Sequence, residues 1–366
     1  MTDISRTKEP VQPTVGAEAP ASSVKAELYS QGFPPWEYGS DPPVPVVDSE
    51  NNHSTSLSDA SSGGLSLSST TTPLRSSLYD HIVENGRDYH RFRQGKYLLP
   101  IDQEEQERLD IQHMVFSVSM GKLHLAPTGP NLGNVLDIGT GTGIWAIEFA
   151  EQYPSAQVLG TDLSTIQLSE VPPNCRFQIH DAEDEWDFPA PFDYIHGRML
   201  LSCFRDPRSV FQKAYDALTP GGYLELQDLA FPPQFWGEPR TETSLYKWGK
   251  LTSEASVKIG RPWTNVPKFK EWLEEIGFED VVEKKYYWPL SSWAKGEYYK
   301  QISVYAQAAL LNGIEGMSLK LMGLMGWSAE EVKAFLVSVK EDVKNTSLHA
   351  YAPVRVVYGR KPGVNT

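Results

Sequence analysis

Cysteine is scarce in this chain: Cys175 and Cys203 are the only two in 366 residues. They lie in different motifs without metal-ligand spacing, which excludes a disulfide framework and a zinc site and implies a reducing compartment. No apolar run reaches the length of a signal segment or a membrane span, and the first residues, MTDISRTKEP, are polar. Secretion and membrane insertion are therefore not expected, and the sequons at Asn52 and Asn345 are expected to be unused. Positive charge is in deficit. Lys and Arg number 33 against 47 Asp and Glu, for a net charge of −14. Such a surface repels a phosphate backbone and disfavours nucleic acid as a partner, unless a local basic patch intervenes. No internal repeat is visible, and the N-terminal region has no strong Lys/Arg run of the nuclear-targeting kind. The cytoplasm is the expected compartment, with the nucleus as the alternative.

What is present divides the chain into three parts. Residues 1–76 read as a disordered tail: proline is scattered, and Ser, Thr, Gly and Asp dominate 54–72. Such a segment cannot offset its ordering entropy by burial. One aromatic island, Phe33-Pro34-Pro35-Trp36-Glu37-Tyr38, is either a docking peptide or stray aromatics in the tail. Residues 77–134 read as a helical extension or lid. Leu78 to Glu84 has a helical pattern that stops at Gly86, followed by a basic-aromatic segment from Arg87 to Tyr97. Asp102-Gln103-Glu104-Glu105 then has the form of a capping box opening a helix to about Met120, with Ile111, Val115 and Val118 on one face.

From Val135 to the C-terminus the pattern becomes βαβ. Strands fit Val135–Ile138, Val158–Thr161, Arg176–His180, Phe192–His196 and Tyr223–Asp228, and helices fit Ile144–Gln152 and Ser209–Leu218. This alternation implies a parallel sheet covered on both faces, with ligands bound beyond the carboxyl ends of its strands. The first strand runs into Asp137-Ile138-Gly139-Thr140-Gly141-Thr142-Gly143. Glycines there allow a tight strand-to-helix turn, and they leave backbone amides at a helix N-terminus open to an anionic group. The dinucleotide fingerprint G-x-G-x-x-G would need glycine at 144, where the chain has Ile144, and no P-loop Gly-Lys-Ser/Thr follows. Asp162 ends the second strand, where a carboxylate either accepts ribose hydroxyls or caps the next helix. Asp181 and Ala182 end the third, where the Asp would meet an adenine amino group or cap a loop. Pro220-Gly221-Gly222 gives a sharp turn into the fifth strand.

In this order, the four features resemble class I S-adenosylmethionine-dependent methyltransferases. The resemblance implies an α/β, Rossmann-like seven-stranded sheet with helices on both faces, a reversed hairpin from Val281–Pro289 and Val354–Arg360, and a helical acceptor cap. It implies S-adenosyl-L-methionine as cofactor, held by Asp137, Gly139, Thr140, Gly141, Gly143, Asp162, Leu163, Asp181, Ala182 and His196. The flanking stretches are similar to fungal LaeA-like proteins. These include Glu84-Asn85-Gly86-Arg87, Tyr89-His90, Gly95-Lys96-Tyr97, Gly143-Ile144-Trp145 and His349-Ala350-Tyr351. That family holds regulators that partner velvet proteins and relatives that methylate small molecules or proteins. Glu225-Leu226-Gln227-Asp228 looks closer to the biosynthetic relatives. The expected function is methylation of a small-molecule acceptor in fungal secondary metabolism, and the alternative is a regulator with a velvet-type partner.

Methyl transfer needs alignment more than acid-base machinery, and a base helps only if the nucleophile starts protonated. His196, ending the fourth strand, and His349, before the last, are the candidate bases; each is otherwise a packed histidine. Arg198 either anchors an acceptor carboxylate or pairs with Asp181 or Glu183. Tyr89, His90 and Arg93 form either a lid over the cofactor or a basic surface. Trp236, Trp248, Trp263 and Trp293 either wall an acceptor pocket or fill a core.

Overall fold

The computed structural model describes residues 42–48, 81–84, 86–93 and 95–363. The aromatic island, residues 54–72 and Leu78 to Asp80 lie outside the described residues. Seven residues assigned to the tail are placed: Val47 bridges Ala294, and Asp48 pairs with Lys300 at 3.1 Å.

The first described elements correct an expectation. Where a helix was expected up to Glu84, His81–Glu84 is a strand, β1, paired antiparallel with β2, Arg87–His90. β-Branched Ile82 and Val83 favour extended backbone, and Gly86 turns the hairpin at φ +77°. Helix α1 then spans Gln103–Met120, with the Asp102 carboxylate accepting from the Glu105 amide and Gly121 closing the other end at φ +68°. The reciprocal half of the capping box is not made: Glu105 turns instead to Arg108 in a two-pronged ion pair. The second half of α1 is buried on nearly every side, not on one face alone.

The central sheet holds β3 Asn134–Ile138, β4 Gln157–Asp162, β5 Cys175–Ile179, β6 Phe192–Arg198, β7 Leu218–Leu229, β8 Gln234–Phe235, β9 Glu279–Pro289 and β10 Ala350–Arg360. Its order is β5-β4-β3-β6-β7-β10, with β9 and the two-residue β8 both on β10. β3 to β7 are parallel and β10 is antiparallel to its neighbours. Without the short β8 these are the seven expected strands with the reversed hairpin at the end. Pro220-Gly221-Gly222 lies inside β7 rather than before it, with Gly221 at φ +85°.

Alternate residues of each strand feed opposite faces. Val135, Val158 and Tyr194 meet Trp145, Ala146 and Phe149 of α2, Ile144–Gln152. Leu136, Ile195 and Leu224 meet Phe211 of α3, Pro207–Ala217, and Leu273 of α5, Phe269–Ile276. Asp206 caps α3 and Pro207 opens it, as its missing N–H permits. Helices α4 Ser244–Lys258, α6 Glu297–Gly323 and α7 Ala329–Lys344 pack on one another, and α6 also packs along α1. This helical layer rises over the carboxyl ends of the parallel strands.

Candidate active site

The strand order reverses between β3 and β6, and ligands of open α/β sheets bind in the crevice at such a point. Three cavities meet there. A strand-end cavity is bordered by Gly139, Gly141, Asp162, Leu163, Asp181 and Ala182, and the hairpin segment closes it with His90, Tyr97 and Pro100. A glycine-loop cavity runs along Asp137, Thr140, Thr142 and His196. An apolar cavity lies under the helical layer, between Leu99, Phe231, Trp248, Trp263, Trp288 and Leu310. Its empty space is about 920 Å³ with the open mouth included. Leu109 and Met199 border all three cavities, and Tyr97 borders the first and the third. Met199 holds a left-handed backbone at φ +57°, which few side chains adopt, and its amide bonds the Gln227 carbonyl at 2.9 Å.

The chain matches the family described as "Methyltransferase domain" over residues 112–283. It is 33% identical to "Methyltransferase pytC" of Aspergillus terreus, over 83% of this chain and 95% of that one. It is 37% identical to "Probable methyltransferase tdiE" of Emericella nidulans, over 70% and 82%. It is also 33% identical to "Secondary metabolism regulator laeA" of Aspergillus fumigatus, over 83% and 82%. The chain belongs to the fungal LaeA-like methyltransferases. It is an S-adenosylmethionine-dependent methyltransferase of class I.

The residues present fit that cofactor. Gly139 and Gly141 turn with φ of +64° and +58° at the cavity wall; a Cβ at 139 would meet Leu200 at 2.8 Å, whereas one at 141 would lie an ordinary 3.6 Å from Leu109. The Asp162 carboxylate accepts from the Gly141 amide at 2.9 Å and from Ser164, which holds it at the cavity wall with lone pairs to spare. Burial raises its pKa, against these hydrogen bonds. Ile138, Leu163, Ala182 and Phe204 supply apolar walls suited to a flat ring.

Charge is concentrated where the hairpin segment crosses the cavity. Lys96 contacts the Asp181 carboxylate and reaches Glu183 at 3.0 Å, while Arg93 meets Asp184 at 2.6 Å. Burial alone would raise the Asp181 carboxyl; Lys96, the Glu183 amide and Arg93 outweigh it and hold it below the ordinary range. His90 also borders the cavity, and burial lowers its pKa. Tyr89 lies apart from the cavity, under the Lys320 ammonium at 3.3 Å from the ring centre.

Several residues singled out in the sequence sit elsewhere. Gly143 borders none of the three cavities; it caps α2 against the ring of Phe177. His196 is wholly buried, stacked 3.7 Å from Trp145 and bonded to Asp137, and borders the glycine loop rather than the apolar cavity. His349 lies beside Trp293, 5.4 Å between ring centres, outside all three cavities. Arg198 pairs with neither Asp181 nor Glu183. It donates to His113 Nδ1 at 2.9 Å and lies over the Phe116 ring. Burial pushes its pKa down to about 10. Of the four tryptophans, Trp248 and Trp263 wall the apolar cavity, whereas Trp236 and Trp293 pack with each other and with Tyr351 and His349.

The sequence reading missed Tyr97 at the cavity junction, Trp288, and Asp228. The Asp228 carboxyl is buried beneath the turn at Leu200 and Leu201, and burial lifts its pKa to about 8. Among the described residues no cluster of His, Cys, Asp and Glu could hold a metal ion, and no helix is long and apolar enough to cross a membrane.

Proposed function

We propose that the chain methylates an uncharged, largely apolar small molecule held in the cavity of Trp248, Trp263 and Trp288. The observation that carries this reading is the meeting of that cavity with the strand-end cavity at Tyr97, Leu109 and Met199. A ligand on each side can touch there and nowhere else along the shared wall. When bound, S-adenosylmethionine supplies a methyl carbon on a positive sulfur, whose bond electrons remain on sulfur when an acceptor lone pair takes the carbon.

The residues of this chain then have three tasks. Asp162, with Gly139, Gly141, Leu163, Asp181 and Ala182, binds the nucleoside half of the cofactor. Asp137, Thr140 and His196 brace the glycine loop; Asp137 accepts from Thr140 Oγ1 at 2.6 Å and from His196 Nδ1 at 2.8 Å. Tyr97, Leu109 and Met199 exclude water and set the approach of the two ligands, the alignment from which most acceleration of a displacement comes. The apolar cavity contains no His, Cys or carboxylate, and its Arg108 is committed to Glu105. The acceptor therefore brings its own lone pair, as a neutral amine, an activated carbon or a readily ionised hydroxyl.

Titration calorimetry with S-adenosylmethionine, followed by labelled-methyl transfer to an extract of apolar fungal metabolites, tests this reading. Cofactor binding and label on an apolar product are expected. Label only on protein, or no cofactor binding by folded protein, would overturn it. The 33% identity to a regulator, the same as to the pytC methyltransferase, keeps a second reading in view, with a velvet-type partner in place of the small acceptor. Stable co-purification of such a partner without any labelled metabolite would favour that reading.

A further inference from the structure

Arg198 borders the site and has no task in the reading above. It borders both the strand-end and the glycine-loop cavities and does not border the apolar one. The other arginines near the site are engaged by carboxylates: Arg87 by Asp102, Arg93 by Asp184, Arg108 by Glu105. Among the described residues no carboxylate lies within ion-pair distance of Arg198, which has His113 on one edge and the Phe116 ring on one face. A guanidinium only donates, so His113 Nδ1 accepts and the imidazole there is neutral; its Nε2–H points to Glu148 at 2.9 Å. That leaves a half-buried positive charge on a fork of donors, with Asp137 and Glu148 acting on it only from beyond contact distance, at the wall between two cavities. The free edge of its planar fork has the geometry that receives a carboxylate through two parallel hydrogen bonds.

On the cofactor reading above, we infer that Arg198 anchors the α-carboxylate of the cofactor's methionine tail. The glycine-loop cavity continues from the nucleoside site past Gly139 and Gly141, and it is the only one of the three that places Asp137, Thr140 and the start of α2 beside Arg198. The anchor fixes the tail at one end while Asp162 fixes the ribose at the other, so the sulfur between them is set at Leu109 and Met199. An acceptor carboxylate is a poorer fit, because Arg198 is not part of the apolar cavity.

The test compares two ligands that share the adenosine thioether: S-adenosylhomocysteine, which carries the charged tail, and 5′-methylthioadenosine, which lacks it. Calorimetry on the full chain and on Arg198→Gln is the readout, with thermal unfolding to check the variant's fold. The variant is expected to weaken S-adenosylhomocysteine about 10- to 100-fold, the range of one charge-assisted, two-pronged contact, and to leave 5′-methylthioadenosine within about twofold. If the variant does not fold, the methyl ester of S-adenosylhomocysteine removes the charge from the ligand instead. The wild type should then bind the ester about as weakly as 5′-methylthioadenosine. Equal weakening of both ligands, no weakening of either, or an ester that binds as well as the acid would overturn the anchor role. A wild type that binds none of the ligands overturns the cofactor reading itself, a result distinct from these.

Discussion

Asp137 accepts a hydrogen bond from His196 Nδ1 at 2.8 Å, and both residues are buried at the end of neighbouring parallel strands. The imidazole also lies flat on Trp145, so the pair joins the glycine turn to the core of α2. A residue so enclosed works by packing. His196→Ala should destabilise the fold by about 3 kcal/mol, from the vacated volume and the unpaired carboxylate. Urea unfolding measures this. A full-stability variant whose rate–pH profile loses a limb would instead make His196 a base.

The glycine turn separates backbone need from ligand need. Gly141 has φ +58°, and a Cβ there would lie an ordinary 3.6 Å from Leu109. Gly141→Ala should therefore fold at a cost of about 1–2 kcal/mol for the left-handed backbone, and Gly141→Arg should abolish cofactor binding by filling the cavity. At Gly143 a Cβ would lie 2.4 Å from the Phe177 ring. Gly143→Ala should lower the melting temperature more than Gly141→Ala does, although Gly143 borders none of the three cavities.

These two glycines also mark how much was legible in the sequence. Local signals carried the parallel strands: the apolar runs, the glycine turn, and Asp162 and Asp181 at strand ends all stand where their spacing put them, and the last hairpin stands where the family resemblance put it. The stretch that forms β1 was misread as a helix, although Asn85-Gly86 between two short extended runs is a hairpin signature. The apolar cavity was only partly visible. It is assembled from α1, α4, α6, β9 and the chain after β7, and no local pattern tells Trp288 from Trp293. Arg198 was visible as a charge but not as an unpaired one, because its neighbour His113 lies 85 positions earlier.

Asp228 makes stability fall with rising pH. Its folded pKa of about 8 lies above the ordinary carboxyl value of 3.8. Between these values the unfolded chain loses a proton that the folded one keeps, so stability declines by up to about 1.4 kcal/mol per pH unit and levels off above the folded value. Asp228→Asn, which keeps an acceptor for the Leu229 amide, should flatten this decline. Thermal unfolding of both proteins from pH 5 to 8.5 is the check, and parallel curves would contradict the assignment.

Lys96 ties the hairpin segment to the sheet through Asp181 and Glu183. Removing it leaves the buried Asp181 carboxylate with Arg93 at 3.9 Å as its remaining cation, which is more destabilising than removing a surface ion pair. Lys96→Ala should therefore loosen the strap over the strand-end cavity. Chymotrypsin should cut after Phe92 or Tyr97 several-fold faster, and saturating cofactor should restore protection. Unchanged cleavage would mean that the strap is held by Tyr97 and the apolar contacts alone.

The apolar cavity makes the last prediction, because it offers no group to take a proton. With Tyr97 kept protonated by burial and Arg108 paired to Glu105, kcat/KM should follow the ionisation of the acceptor and not that of the protein. A series of acceptors of different acidity should shift the pH midpoint in step with their own pKa values. Ala309, buried in the same wall, supplies the complementary variant. Ala309→Trp should raise the acceptor KM more than about tenfold by filling space, and leave the affinity for S-adenosylhomocysteine unchanged. A pH midpoint that stays fixed across the series would place an unrecognised base in reach, and Asp228, just beyond the cavity wall, would be the first residue to replace.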